Sequence, residues 1–195
     1  MAKLTNTKAI LVSHTHWDRA WYLTFEQYRY KLIQMIDRII EMLTHDSDFN
    51  CFVLDGQTVL IEDYLEIRPE NKAVLKELIS KQRLIIGPWY VLPDLFLVSG
   101  ESIIRNLQIG NEMATEFGGK LDVGYVPDPF GHFNQLPQVL NGFNIDSFIF
   151  MRGLPDEVDE KKSLLFNWVA PDGSSVLSYN TKDGYLNSTN LGYEK

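Results

Sequence analysis

The stretch AILVSHTHWDRAW, residues 9–21, decides how this chain is expected to fold. Its first four residues form an apolar run, which predicts a buried strand over 9–13. Ligands of open α/β sheets bind at the carboxyl ends of the strands, so His16 and Asp18 are expected at that edge. Residues two apart in extended backbone share one face. An imidazole and a carboxylate placed in this way can reach one divalent ion together.

The rest of the chain alternates apolar strands with helical patterns. Strands are predicted at 52–54, 84–86, 123–126 and 148–151, and two further strands at 166–169 and 175–179 flank a Pro-Asp-Gly turn. Helices are predicted at 25–43, 59–65, 69–80, 102–117 and from 136 onward. This alternation is typical of an α/β fold in which a mostly parallel β-sheet is flanked by helices.

Composition and charge limit what the chain can do. With 195 residues, of which 45% are hydrophobic and 23% charged, it is expected to form one domain over residues 1–195. A net charge of -8 without clustered Lys or Arg excludes a nucleic-acid surface and is compatible with a neutral, polyhydroxylated substrate. No signal-peptide stretch opens the chain, and no apolar run reaches the roughly 20 residues of a membrane helix. We therefore expect no membrane association and a cytoplasmic location.

Several single residues have both a structural and a functional interpretation. Asp55, in an Asp-Gly-Gln turn after a strand, is either a turn former or part of an outer pocket. His14 is either a metal ligand or a packed neighbour of one, and His132 is expected in a loop beside the site, with zinc ligation as the alternative. Trp89 either faces a sugar or packs in the core. Arg152, which follows a strand, is either a surface ion-pair partner or a site residue.

Four separated blocks of the sequence resemble the retaining alpha-mannosidases of glycoside hydrolase family 38. They are HTHWDR at 14–19 with Trp21, GPWY at 87–90 with PD at 93–94, DPFGH at 128–132 with QLP at 135–137, and Arg152. The resemblance implies a (β/α)7-like N-terminal catalytic domain, followed in a much longer chain by helical and β domains. Little chain remains after the last predicted strand, so the sequence is expected to be a truncated part of such an enzyme.

The resemblance also implies a zinc ion and a catalytic carboxylate. By position in the blocks, zinc would be held by His16, Asp18 and Asp128, with a later His as the fourth ligand. Asp128 would also be the nucleophile, and the acid carboxylate would lie beyond Lys195. A retaining glycosidase needs two carboxylates roughly 5 Å apart, one to attack the anomeric carbon and one to protonate the leaving oxygen. Zinc can bind two adjacent sugar hydroxyls and so hold the ring in place.

The same resemblance assigns further residues to the substrate, a mannoside or oligosaccharide. It implies that Trp21 forms a wall under the sugar ring, that Phe130 lines the pocket and that Arg152 orients the nucleophile. A guanidinium beside a carboxylate favours the charged form, which is the form that attacks. Because relatives commonly associate, a homo-oligomer is compatible with this assignment.

Three functions are consistent with these residues. The first is a zinc-dependent retaining alpha-mannosidase that works through a covalent glycosyl-enzyme. The second is another zinc-dependent α/β hydrolase such as a polysaccharide deacetylase, in which the metal activates water and no sugar ester forms. The third is a non-catalytic sugar-binding module. A fluorosugar that traps a glycosyl-enzyme separates the first from the second.

Overall fold

The computed structural model describes residues 10–154 and 164–187. Helices and strands alternate through most of this part of the chain, as the sequence predicts, so the fold is of the α/β class. The elements are β1 (His14–Thr15), α1 (Phe25–His45), β2 (Phe52–Leu54), α2 (Val59–Leu65), α3 (Lys72–Ser80), β3 (Leu84–Ile85), α4 (Gly100–Phe117), β4 (Gly124–Val126), α5 (Leu136–Gly142), β5 (Ser147–Phe150), β6 (Leu165–Val169) and β7 (Ser175–Asn180).

The strands of the described residues form two sheets. The first has the order β1-β2-β3, and both of its pairs are parallel. The second has the order β4-β5-β7-β6, in which β4, β5 and β7 are parallel and β6 runs antiparallel to β7. A parallel bridge between Gln57 and Trp89 lies outside the named strands. The predicted α/β fold with a mostly parallel sheet is confirmed, and the sheet is divided into two parts.

The predicted strand at 9–13 is wrong in its bounds. Strand β1 covers only His14 and Thr15, and Ala9 lies outside the described residues. The apolar side chains of residues 10–12 are between 58% and 76% exposed. An apolar run becomes a buried strand only where a neighbouring element covers it. Within the described ranges, residues 10–12 remain open to solvent, and pairing with β2 begins only at His14.

The other predicted elements are found with small shifts at their ends. The helix predicted at 69–80 divides into a 3-10 turn, Pro69–Asn71, and α3. Helix α4 begins two residues earlier than predicted, because the Ser99 side chain caps it by accepting the Ser102 N–H. The charged segment predicted at 156–162 lies outside the described residues. None of the helices in the described ranges is long and apolar enough to cross a membrane.

Helix α1 shows why a local pattern predicts an element well. The Thr24 hydroxyl accepts the Gln27 N–H, and the Gln27 side chain accepts the Thr24 N–H, so a capping box fixes the first turn. Along the helix, Leu32, Ile36 and Ile39 recur at intervals of three or four residues and are buried against the first sheet, as the sequence predicts.

Two hydrophobic cores fill the space between the sheets and the helices. The first core joins helices α1 to α3 to the first sheet, and the second joins α5 and Trp89 to the second sheet. Helix α4 contributes to both, with Phe117 in the first core and Leu107 in the second. Between these two positions, a Cβ on Gly110 would overlap the backbone of residues 88–90. Glycine therefore allows the helix and this loop to touch backbone to backbone.

Candidate functional site

Two polar clusters lie where strands of the two sheets end. We call the first the histidine cluster, which comprises His16, Asp18, Asp55 and Gln57. His16 directly follows β1, and Asp55 directly follows β2, its parallel neighbour. The Nδ1 of His16 lies 3.2 Å from Oδ1 of Asp55. Parallel pairing of these two strands therefore brings together two side chains that are far apart in the sequence.

Asp55 is fully buried and is surrounded by hydrogen-bond donors. Its Oδ2 accepts the backbone N–H of Trp17 at 2.6 Å and the side-chain amide of Gln57 at 2.7 Å. The backbone of Asp55 is left-handed, with φ 50°, and Gly56 follows with φ 65°. The turn interpretation is thus correct for the backbone. The side chain, however, points to His16 and not into an outer pocket.

Burial and charge act against each other in this cluster. Burial lowers the pKa of His16, but the hydrogen bond to Asp55 and the surrounding carboxylates, including Asp128, outweigh it and raise this pKa above its ordinary value. Burial raises the pKa of Asp55, and its bonds to His16 and Trp17 offset only part of that effect. Both shifts favour a proton bound between Nδ1 of His16 and Oδ1 of Asp55.

The second ring nitrogen of His16 fits a metal ligand. Nε2 is buried, has no hydrogen-bond partner in the described residues and lies 3.7 Å from Oδ1 of Asp18. That distance is too long for a hydrogen bond but close to the roughly 3.4 Å between two ligand atoms on one tetrahedral zinc. Imidazole and carboxylate are both zinc ligands. Among residues 10–154 and 164–187, however, no three His, Cys, Asp or Glu side chains converge closely enough to hold a metal ion.

An ion pair between the partly exposed Arg19 and the buried Asp63 holds the loop that carries Asp18. Arg19 donates from Nε and Nη2 to the two carboxylate oxygens of Asp63 on α2, both at 2.7 Å. Its guanidinium also lies 4.8 Å from the centre of the Phe25 ring. Paired bonds of this kind fix the geometry of an arginine more strictly than a single contact does. The loop is therefore anchored at Arg19, while the neighbouring Asp18 side chain reaches solvent.

We call the second group the aspartate cluster, which comprises Asp128, Phe130, Arg152 and Tyr185. Asp128 lies two residues after β4, and Arg152 two residues after β5, its parallel neighbour. Oδ1 of Asp128 lies 2.9 Å from Nη2 of Arg152 and accepts the Tyr185 hydroxyl at 3.3 Å. In the described part of the chain, Oδ2 receives no hydrogen bond. Burial, followed by the charge of Asp128, raises the pKa of Tyr185 to about 12, so the hydroxyl keeps its proton.

Exposed aromatic side chains lie close to both clusters in sequence. Phe130 is 69% exposed, and the Arg152 guanidinium lies 4.8 Å from its ring centre. Trp21 is 67% exposed and contacts Tyr22 edge to face. The structure therefore brings Phe130 to the aspartate cluster, whereas the place of Trp21 beside a sugar stays a prediction. Trp89 is fully buried, so its packed interpretation is the correct one.

His132 fixes the loop that carries Arg152. Its ring packs edge to face on Phe148, Phe150 and Trp168, and its Nε2 donates to the backbone oxygen of Arg152 at 2.8 Å. Burial lowers the pKa of His132, so the ring is held in its neutral form. This residue was expected in a loop beside the site. Its contact is with the arginine backbone and not with the first cluster.

Tyr185 joins the two clusters and is the site residue that the sequence did not indicate. Its backbone oxygen accepts Nε2 of His14 at 2.7 Å, its ring lies 5.2 Å from that of His16, and its hydroxyl contacts Asp128. His14 is thus a packed neighbour of the site in this structure. Tyr185 lies five residues after β7 and outside any motif, so only the path of the chain after that strand could have revealed it.

Comparison with known proteins gives a consistent result. The chain matches the Glycosyl hydrolases family 38 N-terminal domain over residues 6–193. It is 42% identical over 194 residues to a protein of Halalkalibacterium halodurans named "Putative mannosylglycerate hydrolase", a match that covers 94% of this chain and 22% of that protein. It is 27% identical over 179 residues to an alpha-mannosidase of Saccharomyces cerevisiae, which covers 90% of this chain and 16% of the yeast protein.

Solved structures agree with the sequence matches. An alpha-mannosidase from Enterococcus faecalis superposes with a TM-score of 0.90 at 37% identity, over 94% of this chain and 21% of that one. A 4-alpha-glucanotransferase from Thermococcus litoralis superposes with a TM-score of 0.62 at 15% identity, which shows a likeness of fold alone. The chain spans about a fifth of the length of the first relatives, 22% and 21%.

Proposed function

The chain belongs to the glycosyl hydrolases family 38, and we propose that it is the N-terminal catalytic part of a zinc-dependent retaining alpha-mannosidase. The proposed substrate is an alpha-linked mannose in a mannoside or oligosaccharide, in line with the names of its relatives. One observation carries the choice of nucleophile. Arg152 and Tyr185 both engage Oδ1 of Asp128, and Oδ2 is left without a hydrogen bond in the described residues.

In the proposed first step, Oδ2 of Asp128 forms a bond to the anomeric carbon while the glycosidic C–O bond breaks. The leaving oxygen takes a proton from a second carboxylic acid. Water then attacks the same carbon and gives its proton back to that second carboxylate, and the bond to Asp128 breaks. Two inversions give net retention. Arg152 and Tyr185 hold Oδ1 throughout, so the attacking oxygen keeps one direction.

The aromatic side chains supply the proposed sugar contacts. Phe130 is exposed beside Asp128, and its ring is held by the Arg152 guanidinium. A sugar ring that packs on such a face is placed against the carboxylate that attacks it. We assign Trp21 to the same ring from the side of the first cluster, because it shares a loop with His16 and Asp18.

We propose that zinc is held by His16, Asp18 and Asp128. When bound, zinc would supply a template for two adjacent sugar hydroxyls. His16 offers a buried nitrogen without a partner, and the half-exposed carboxylate of Asp18 lies next to it. Asp128 is assigned as a third ligand because Tyr185 contacts both residues, with its hydroxyl on Asp128 and its ring 5.2 Å from that of His16.

A trapping experiment on the whole protein tests the nucleophile. An activated fluoromannoside is expected to leave one fluoromannosyl group on the peptide that contains Asp128, found by mass spectrometry. Asp128→Asn should give no adduct and lower kcat by on the order of 10⁴-fold or more. The matched control is Asp122→Asn, which changes an exposed carboxylate on the same segment. Hydrolysis of the mannoside without an adduct would contradict the covalent mechanism, and release of acetate from acetylated sugars without glycoside hydrolysis would favour the deacetylase.

Metal content tests the ligands separately. Dialysed protein should retain zinc, and His16→Ala should remove most of it because a nitrogen ligand is lost. His45→Ala is the control, since that histidine is exposed at the end of α1. Equal zinc content in wild type and in a variant with both His16 and Asp18 replaced by Ala would contradict the ligand assignment.

A further inference from the structure

Asp55 has no part in the function proposed above, although it is fully buried and bonded to His16. We propose that Asp55 is a positioning residue, which fixes the proton of His16 on Nδ1 and leaves Nε2 as a free acceptor facing the site. The purpose of this arrangement rests on the proposed metal site. The geometry of the arrangement does not depend on that metal site, because every contact involved is made by residues of this chain.

Backbone groups set the direction of each bond in this cluster. Oε1 of Gln57 accepts the backbone N–H of Leu92 at 3.3 Å, and its Nε2 donates to the backbone oxygen of Trp17 at 2.9 Å. The amide of Gln57 therefore has one orientation, in which the same Nε2 also donates to Oδ2 of Asp55. Because Trp17 offers its own N–H to that oxygen as well, Oδ2 faces two donors and acts only as an acceptor.

The other oxygen of Asp55 determines the state of the imidazole. Oδ1 lies 3.2 Å from Nδ1 of His16, and a carboxylate oxygen accepts, so Nδ1 carries the proton. A neutral imidazole has a single N–H, which leaves a lone pair on Nε2. That atom is buried without a partner and lies beside the carboxylate of Asp18. A carboxylate behind a histidine in this way also strengthens the histidine as a metal ligand.

An isosteric substitution separates positioning from packing. In Asp55→Asn, the Trp17 N–H and the Gln57 amide still donate to this side chain, so the oxygen of the new asparagine amide must face them. The NH₂ group of the asparagine then faces His16. Because NH₂ donates, Nδ1 must become the acceptor and the proton must move to Nε2. The substitution is expected to reverse the tautomer at nearly constant side-chain volume. In serine proteases, the same change in a buried Asp–His pair leaves the geometry intact and removes most activity.

The direct test is a long-range 1H–15N NMR spectrum of the metal-free chain, at a pH where the ring is neutral. His16→Gln identifies the signal. Wild type is expected to carry the proton on Nδ1, and Asp55→Asn on Nε2. Asp37→Asn is the matched control, because it changes another carboxylate that accepts a side-chain hydrogen bond, from Tyr64 and not from His16. A wild-type proton on Nε2, or an unchanged tautomer in Asp55→Asn, overturns the proposal. If Asp55→Asn does not fold, the wild-type spectrum still decides.

Zinc affinity, measured by competition with a chelator, is the second readout. Asp55→Asn is expected to weaken binding by about 10–100-fold, while Asp37→Asn keeps the wild-type affinity, because Asp37 bonds to Tyr64 and Arg68 and to neither cluster. If wild type binds no zinc, the metal part of the proposed function fails, and the spectrum still tests the tautomer. If wild type and Asp55→Asn bind zinc equally well, the positioning role fails and the proposed function stands.

Discussion

The histidine cluster and the aspartate cluster differ in how far they are withdrawn from solvent. The side chains of His16 and Asp55 are 14% and 0% exposed, whereas those of Arg152 and Asp128 are 41% and 33% exposed. Water can replace a partner in an exposed ion pair, but it cannot reach a fully buried bond. The His16–Asp55 pair is therefore fixed when the chain folds, whereas the Asp128–Arg152 pair remains free to adjust when a ligand displaces water.

The two hydrophobic cores offer the strongest test of whether these regions form one folding unit. Phe148→Ala in the second core should lower the free energy of unfolding by about 3–5 kcal/mol, and Ile36→Ala in the first by about 2–5 kcal/mol. Both side chains are buried, and α4 packs in both cores. Denaturation followed by circular dichroism and tryptophan fluorescence should show one shared transition. Two separate transitions, or no effect of Ile36→Ala, would contradict this; the exposed Ile109→Ala is the control.

The next largest difference in stability is expected between the two arginine–aspartate ion pairs, Arg19–Asp63 and Arg152–Asp128. Arg19→Met leaves the buried Asp63 carboxylate without its guanidinium and should cost about 1.5–3 kcal/mol. Arg152→Met breaks a half-exposed pair with Asp128 and should cost only about 0–1 kcal/mol. Urea denaturation of the two variants measures both values. Equal costs would show that the two ion pairs are equally open to water.

The pH dependence of stability tests the packing around the aspartate cluster. Burial lowers the pKa of His132 below its ordinary value of 6.5, so the folded chain binds this proton less readily than the unfolded chain. Its contribution is therefore complete above about pH 6.5 and is lost as the pH falls through the folded-state pKa. His132→Phe should reduce the slope of stability against pH, by at most about 1.4 kcal/mol per pH unit. An identical slope would mean that His132 is solvated; His45→Phe is the exposed control.

The smallest effect is expected where the two clusters meet. Tyr185→Phe removes one hydroxyl bond to Asp128 but keeps the ring beside His16 and the backbone contact to His14. The substitution should lower the free energy of unfolding by about 0.5–1.5 kcal/mol, because a single hydrogen bond is lost and water can replace it. Tyr185→Ala, which also removes the ring, should cost more. Equal melting temperatures for the two variants would show that the ring does not link the clusters.

Features that depend on nearby residues were predicted well from the sequence. The helical stripe of Ile36, the ends of β2 and the proximity of His16 to Asp18 all follow from spacings of two to four residues. Features that depend on a distant partner were not. Within the described residues, no neighbouring element covers the segment predicted as a strand at 9–13. The division into two sheets depends on which strands pair.

The site shows the same limit. Asp55 was placed in a turn because the sequence does not reveal that its side chain returns to His16. Tyr185 was missed because its role arises only where the chain passes between the clusters. Neither contact leaves a local pattern, since each joins residues that parallel pairing or a long connection brings together.

Gly110 has a consequence for how much sequence change the site can tolerate. Any side chain at this position would push α4 away from residues 88–90, the loop that Gln57 meets through its bridge to Trp89. The spacing between the clusters therefore depends on an uncharged position on a helix that contributes no residue to either cluster. Random mutagenesis for altered substrate choice should recover changes at the exposed Phe130, but at 110 only glycine. Changes in which substrates the site can contact must then come from the loops, while the separation of the two sheets stays constant.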